Sequence, residues 1–187
     1  MSSQVSHRKQ LSSADDISLR TMPTKRTSIL LVEDSERDIV TIKQGLKHAG
    51  IKKGVHVVEN GQTAIHYLSG RGEYKDRRRH PLPALVFLGL KLPLLSGDDV
   101  LTWIRQSYHL ASTPVVVLAS SEKPEDLKRA YQLGASSYLV KPLTADEIAD
   151  ELIEMAEAFN WRWLGCGQLA PACIVLPKNW TGGLGSE

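Results

Sequence analysis

Apolar positions recur along this chain with two alternating periods, and the alternation predicts the architecture. Residues 28–32 are a short apolar, partly β-branched run. Residues 35–49 follow with Ile39, Ile42 and Leu46 at helical spacing and Gly50 as a stop. Residues 55–58 read as the next strand, and residues 61–68 as a helix with Ala64, Ile65 and Leu68 on one face. Residues 84–88 are apolar without alternation, as in a strand covered on both sides. Ser96 is placed to cap a third helix, with Asp98 and Asp99 in its first turn. Val100, Ile104 and Tyr108 mark the inner face of that helix, beside Leu101. Residues 114–118 form the fourth strand. Pro124 opens a helix lined by Leu127, Ala130 and Tyr131 and ended by Gly134. Residues 137–140 form the fifth strand. Thr144 and Glu147 make a capping box for a last helix whose stripe is Ile148, Leu152, Met155 and Phe159.

Five strand–helix pairs predict an α/β fold, with one parallel sheet covered by helices on both faces. In such a sheet the functional site lies beyond the carboxyl ends of the strands. That rule directs attention to the residues just after 32, 88, 118 and 140. They are Glu33 and Asp34, then Gly89, Leu90 and Lys91, then Ala119, Ser120 and Ser121, and finally Lys141-Pro142.

Composition and charge narrow the function classes. The chain has 187 residues, 42% of them hydrophobic and 24% charged, so it can bury a core. Its net charge of +2 excludes a histone-like polycation. That total is uneven. Residues 1–27 carry five basic and two acidic side chains, residues 28–160 carry 16 and 18, and residues 161–187 carry two and one. A flexible basic arm (1–27), a folded domain (28–160) and a C-terminal tail (161–187) are therefore expected. No apolar run reaches the roughly 18 residues of a membrane-spanning helix, and the first residues lack the apolar centre of a signal peptide. A cytoplasmic protein is expected. Cys166 and Cys173 have no histidine near them and read as reduced thiols. The six histidines show no metal-ligand spacing. Arg77, Arg78 and Arg79 read as a solvated charged loop in preference to a nucleic-acid contact.

The stretches Ile29-Leu-Leu-Val-Glu-Asp34, Leu88-Gly-Leu-Lys-Leu-Pro93 and Gly134-Ala-Ser-Ser-Tyr-Leu-Val-Lys-Pro142, with Gly97 and residues 114–118, carry a resemblance. Residues 28–160 resemble the receiver domain of two-component response regulators. The extended basic loop and the Leu-Lys-Leu-Pro turn resemble the small stand-alone regulators associated with phytochromes. The resemblance implies a flavodoxin-like doubly wound sheet with strand order 2-1-3-4-5. It implies no output domain, and phosphorylation of an aspartate by a partner sensor histidine kinase, with a bacteriophytochrome as one candidate. It also implies a Mg²⁺ site at an acidic pair, here Glu33 and Asp34, a phosphate-pairing lysine, here Lys141, and switch positions, here Ala119 and Tyr138.

The match departs from the family at three points. Gly89 stands where the phospho-accepting Asp is expected, and it has no nucleophile. Ala119 stands where a switch hydroxyl is expected. Lys91 stands two residues past the acceptor position, where a backbone carbonyl helps bind the metal. With one carboxylate gone, the site is expected to hold Mg²⁺ weakly at most, and Lys91 or Lys141 is expected to place an ammonium there instead. A pseudo-receiver acting by protein–protein contact as a homodimer is the reading that follows. Phe159, Trp161 and Trp163 are candidate residues of a dimerisation arm. Two alternatives stay open. One is a conventional receiver with an engineered Asp-to-Gly change. The other is a metal-dependent phosphatase with Asp34 as nucleophile.

Overall fold

The computed structural model describes residues 28–158, 161–164 and 168–171. The arm at 1–27, Phe159, both cysteines and most of the tail lie outside the described residues. Five parallel strands, β1 (Ser28–Val32), β2 (Val55–Val58), β3 (Pro83–Gly89), β4 (Val115–Ala119) and β5 (Ser137–Val140), form one sheet in the order β2-β1-β3-β4-β5. The helices α1 (Glu36–His48), α2 (Gly61–Ser69), α3 (Gly97–Gln106), α4 (Pro124–Gln132) and α5 (Ala145–Ala158) connect and follow them. This is the doubly wound arrangement that the strand–helix alternation predicts.

The central strands β1, β3 and β4 are buried along their whole length, as their unbroken apolar sequences require. Alternate residues feed two cores. Ile29, Leu31, Leu85, Phe87, Val116 and Leu118 pack with α1 and α5. Leu30, Val32, Val86, Leu88, Val115 and Val117 pack with α2, α3 and Ala130 of α4. Caps start the helices where the sequence places them. Ser96 and Asp99 form a reciprocal capping box for α3, and Thr144 and Glu147 do the same before α5.

Four details differ from the sequence pattern. Tyr108 is 93% exposed, because α3 stops at Gln106. The Ser107 N–H turns back to the Ile104 carbonyl and the Ser107 hydroxyl to that of Trp103, which ends the helix before Tyr108 can face inward. Leu127 and Tyr131 on α4 are exposed, since this short helix seats on the sheet edge through Ala130 alone. The tail contains an antiparallel pair, β6 (Trp161–Leu164) with β7 (Gln168–Pro171), that no periodicity announced. Finally, Arg77 is not a solvated loop charge. Its guanidinium donates to the carbonyls of Tyr67 and Leu68 at 2.7 Å each and of His80 at 3.1 Å, closing the end of α2.

A second guanidinium clasp ties the far end of the sheet. Arg105 on α3 donates to the Gly134 carbonyl through Nε (2.8 Å) and Nη2 (2.6 Å), and to the Thr113 carbonyl at 2.8 Å. These carbonyls flank the starts of β4 and β5, so one side chain sets both. Replacing Arg105 with Met keeps the apolar stem and removes every donor. We expect a loss of about 2–3 kcal/mol, the usual range for charged hydrogen bonds, as a lower urea midpoint with unchanged slope. An unchanged midpoint would show that the clasp does not hold these strands.

Candidate functional site

Side-chain alternation decides which residues meet at the carboxyl edge of the sheet. Ile29 and Leu31 face the α1/α5 layer, and Glu33 continues that parity. Leu85 and Phe87 do the same in β3, so position 89 belongs to that side, and Lys141 follows Leu139 in the same sense. Asp38 enters from the first turn of α1, where Ser35 is the N-cap and accepts the Asp38 N–H.

These residues form a closed cluster. Lys141 Nζ donates to Glu33 Oε2 at 2.6 Å and lies 2.9 Å from Asp38 Oδ2. Glu33 Oε1 accepts the Ser35 N–H at 3.2 Å. Glu33 is only 1% exposed, whereas Asp38 is partly open to solvent. One ammonium therefore bridges a buried carboxylate from β1 and a half-buried one from α1.

Gly89 shapes the same space by what it lacks. A Cβ at position 89 would stand 2.8 Å from Glu33 Oε2, with Leu92 Cδ2 and the Val32 carbonyl oxygen each at 3.3 Å. Any side chain there requires the Glu33 carboxylate, the far end of a flexible side chain, to shift. Gly97 presses from the other side. Its N–H donates to the Leu90 carbonyl at 2.9 Å, and a Cβ on it would collide with the Gly89 carbonyl oxygen.

Burial pushes the Glu33 carboxyl above its ordinary range, and its bonds to Lys141 and the Ser35 N–H return only part of that shift. Burial acts on Lys141 in the opposite sense, but hydrogen bonds and charges from two carboxylates outweigh it and hold the ammonium above its ordinary value. The two upward shifts are compatible. Glu33 has one cation for a deep burial, and Lys141 has two anions for a shallower one.

The other sequence-selected residues lie apart from this cluster. Asp34 is exposed and takes no part in it. Lys91 is exposed and makes no ion pair among the described residues, so Lys141 alone supplies the ammonium. Ala119 is buried on the opposite face, in the core that Tyr138 joins from β5. The Tyr138 hydroxyl donates to the Ser121 carbonyl at 2.8 Å and fastens the β4–α4 connection. Burial raises the Tyr138 phenol, and Asp126 and Asp98 add to the shift. Asp38 was missed by the sequence reading. Its signal was a first-turn acid at the third helical position behind an Ser35 cap, on the face the sheet needs.

The donor set does not fit the divalent ion that the family resemblance implies. Glycine at 89 contributes no carboxylate, and the two acids that converge are already joined through an ammonium. Among the described residues, no group of three or more His, Cys, Asp or Glu side chains is placed to hold a metal ion. Magnesium prefers octahedral oxygen ligands, which an ammonium cannot supply.

Removing Lys141 leaves a buried carboxylate unpaired. Lys141→Met should lower stability by about 3–5 kcal/mol in chemical denaturation, and adding Glu33→Gln should restore much of it. An additive double variant would contradict the pairing. The pH dependence has a definite sign. A raised ammonium contributes fully below its ordinary value of 10.5, and the contribution is lost as pH rises through the folded value. The stability gap between parent and Lys141→Met should therefore narrow in strong alkali, and also in acid, where Glu33 takes up a proton and no longer needs the cation.

Residues 29–153 match the response regulator receiver domain family. The chain is 34% identical over 137 residues to the probable methanogenesis regulatory protein FilR2 of Methanothrix harundinacea, across 73% of this chain and 83% of that one. It is 34% identical over 136 residues to the response regulator Rcp1 of Synechocystis sp., across 73% and 88%. The Mn²⁺-bound structure of Rcp1 superposes with a TM-score of 0.60 at 30% identity, over 81% of this chain and 99% of that one. The bacteriophytochrome response regulator AtBRR superposes with a TM-score of 0.63 at 36% identity, over 75% and 99%. The sheet order, the acidic carboxyl edge and these matches agree, and the chain belongs to the response regulator receiver domain family.

Proposed function

We propose that this chain is a stand-alone two-component response regulator that works by protein–protein contact and is not phosphorylated at position 89. The observation that carries the reading is the Glu33 carboxylate, held by Lys141 in the space an aspartate at 89 would need. Phosphoryl transfer to a receiver depends on a nucleophile, positioning and charge neutralisation. Gly89 supplies no nucleophile, and the cation that neutralises the acids is internal. An ammonium fixed by two carboxylates also leaves no free charge to pair with a phosphate oxygen.

The likeness to Rcp1 and to a bacteriophytochrome response regulator supports a sensor histidine kinase as partner, with a bacteriophytochrome as the preferred candidate. Leu127 and Tyr131, exposed on α4 next to the half-buried strand β5, support a homodimer contact on the α4–β5–α5 face. No described helix is long and apolar enough to cross a membrane, which is compatible with action in the cytoplasm. A nucleic-acid role gains no support, since Arg77 is committed to backbone carbonyls and Arg78 and Arg79 to Asp76.

The reading of an ordinary receiver altered only at 89 is disfavoured by the second departure, at Ala119, which sits buried in the core that Tyr138 joins. The phosphatase reading is disfavoured because Asp34 stands outside the ion cluster. The test is phosphotransfer from the genomically neighbouring histidine kinase, with a phosphorylatable regulator as positive control. The parent chain should take no label. A hydroxylamine-sensitive label on the parent chain would overturn the proposal.

A further inference from the structure

Away from the carboxyl edge, four rings from three parts of the chain meet. His56 comes from the edge strand β2, Tyr67 from α2, and Tyr74 and His80 from the connection leading to β3. Tyr67 is buried at the centre, 5.5 Å from His56, 5.2 Å from Tyr74 and 5.8 Å from His80 between ring centroids. His56 and His80 are 6.2 Å apart, and Tyr74 meets His80 edge-on at 5.0 Å. The Tyr67 hydroxyl donates to the Pro81 carbonyl at 3.0 Å. Residues 71–82 are thus fastened to α2 by Arg77 and Tyr67, and to β2 through the His56 contacts.

The charges around this cluster are one-sided. Residues 71–80 hold Arg71, Lys75, Arg77, Arg78 and Arg79 against Glu73 and Asp76. Asp76 is engaged by Arg78 at 3.5 Å and Arg79 at 3.7 Å. Glu73 faces Tyr74, and His66 on α2 pairs with Gln62. Arg77 lies against the cluster itself, 3.1 Å from the His80 carbonyl. Lys52 and Lys53 precede β2. Among the described residues, no carboxylate makes an ion pair with His56 or His80. A proton on the half-buried His56 ring therefore gains no ion pair with a carboxylate among the described residues and places charge beside His80.

We infer that the contact of His56 with Tyr67 and His80 is an acid-sensitive latch, which holds residues 71–82 against β2 and α2 while His56 is neutral and releases them when it is protonated. The inference stands apart from the phosphorylation proposal. Burial of His56, with His80 beside it, keeps its imidazole below its ordinary 6.5, which agrees in sign. The open state takes the proton first. The latch is complete above pH 6.5 and is lost as pH falls through the closed-state value.

The test is hydrogen exchange of the full chain across pH 7.5 to 5, corrected for intrinsic rates. With one coupled proton, opening of residues 71–82 should rise by up to roughly ten-fold per pH unit as pH falls from 6.5 towards the closed-state value and level off below it, while β1, β3 and β4 stay protected. The same segment should lose this dependence in His56→Phe/His80→Phe, and in His56→Gln/His80→Gln should the larger rings disturb folding. His66→Gln should keep it. An opening that persists with the same midpoint in a folded double variant, or a segment equally protected at both pH values in the parent, would overturn the latch.

Discussion

Glu33 carries its carboxylate into the interior of the protein, and it can stay ionised there because Lys141 reaches it. A buried charge without a partner is among the most destabilising groups a fold can hold. The cluster joins the end of β1, the first turn of α1 and the end of β5, so three elements at the carboxyl edge share one ammonium. The shape of that edge follows from this pairing. Glu33 Oε2 takes the space beside Gly89, Gly97 presses α3 against the turn behind it, and Lys141 extends from β5 along the Ala119 carbonyl, to which its N–H donates at 2.7 Å.

The fold determines which residues can enter this arrangement. Period-two alternation sends 33, 89 and 141 to the α1/α5 side, and sends Ala119 and Tyr138 to the other. The carboxyl edge is thereby divided between two layers. One holds the ion cluster. The other holds Tyr138, whose hydroxyl ties down the start of the β4–α4 connection. The resemblance to receivers implies a reactive side chain at position 89, which would give these two layers chemistry to connect. Here the position offers only backbone, and the neighbouring carboxylate fills the space.

Much of the fold was legible in the amino-acid sequence because its signals are local. The buried strands are apolar without alternation, and the helices begin at Ser35, Ser96 and Thr144, whose side chains cap them. The failures share a different physical cause. Tyr108 was misplaced because a turn at Ser107 ends α3 early, and periodicity does not register a stop made by a hydroxyl and one N–H. Leu127 and Tyr131 were misplaced because burial of α4 depends on how much sheet lies beneath it. Arg77 looked like a solvated loop charge, yet its guanidinium binds carbonyls up to 10 residues away. At the candidate site, Glu33, Gly89 and Lys141 were visible as strand-end residues. Asp38 was not, because its role depends on where α1 docks and on Lys141 rather than Lys91 turning inward.

We propose that the ammonium of Lys141 and the carboxylate of Glu33 close the receiver site to metal and phosphoryl group. The most direct measurement is a pair of amide NMR spectra of the parent chain, recorded without and with Mg²⁺ and beryllofluoride, the phosphoryl mimic. With the site closed, the resonances of Glu33, Asp38, Gly89 and Lys141 stay where they are. Saturable shifts at Gly89 and Lys141 would contradict it.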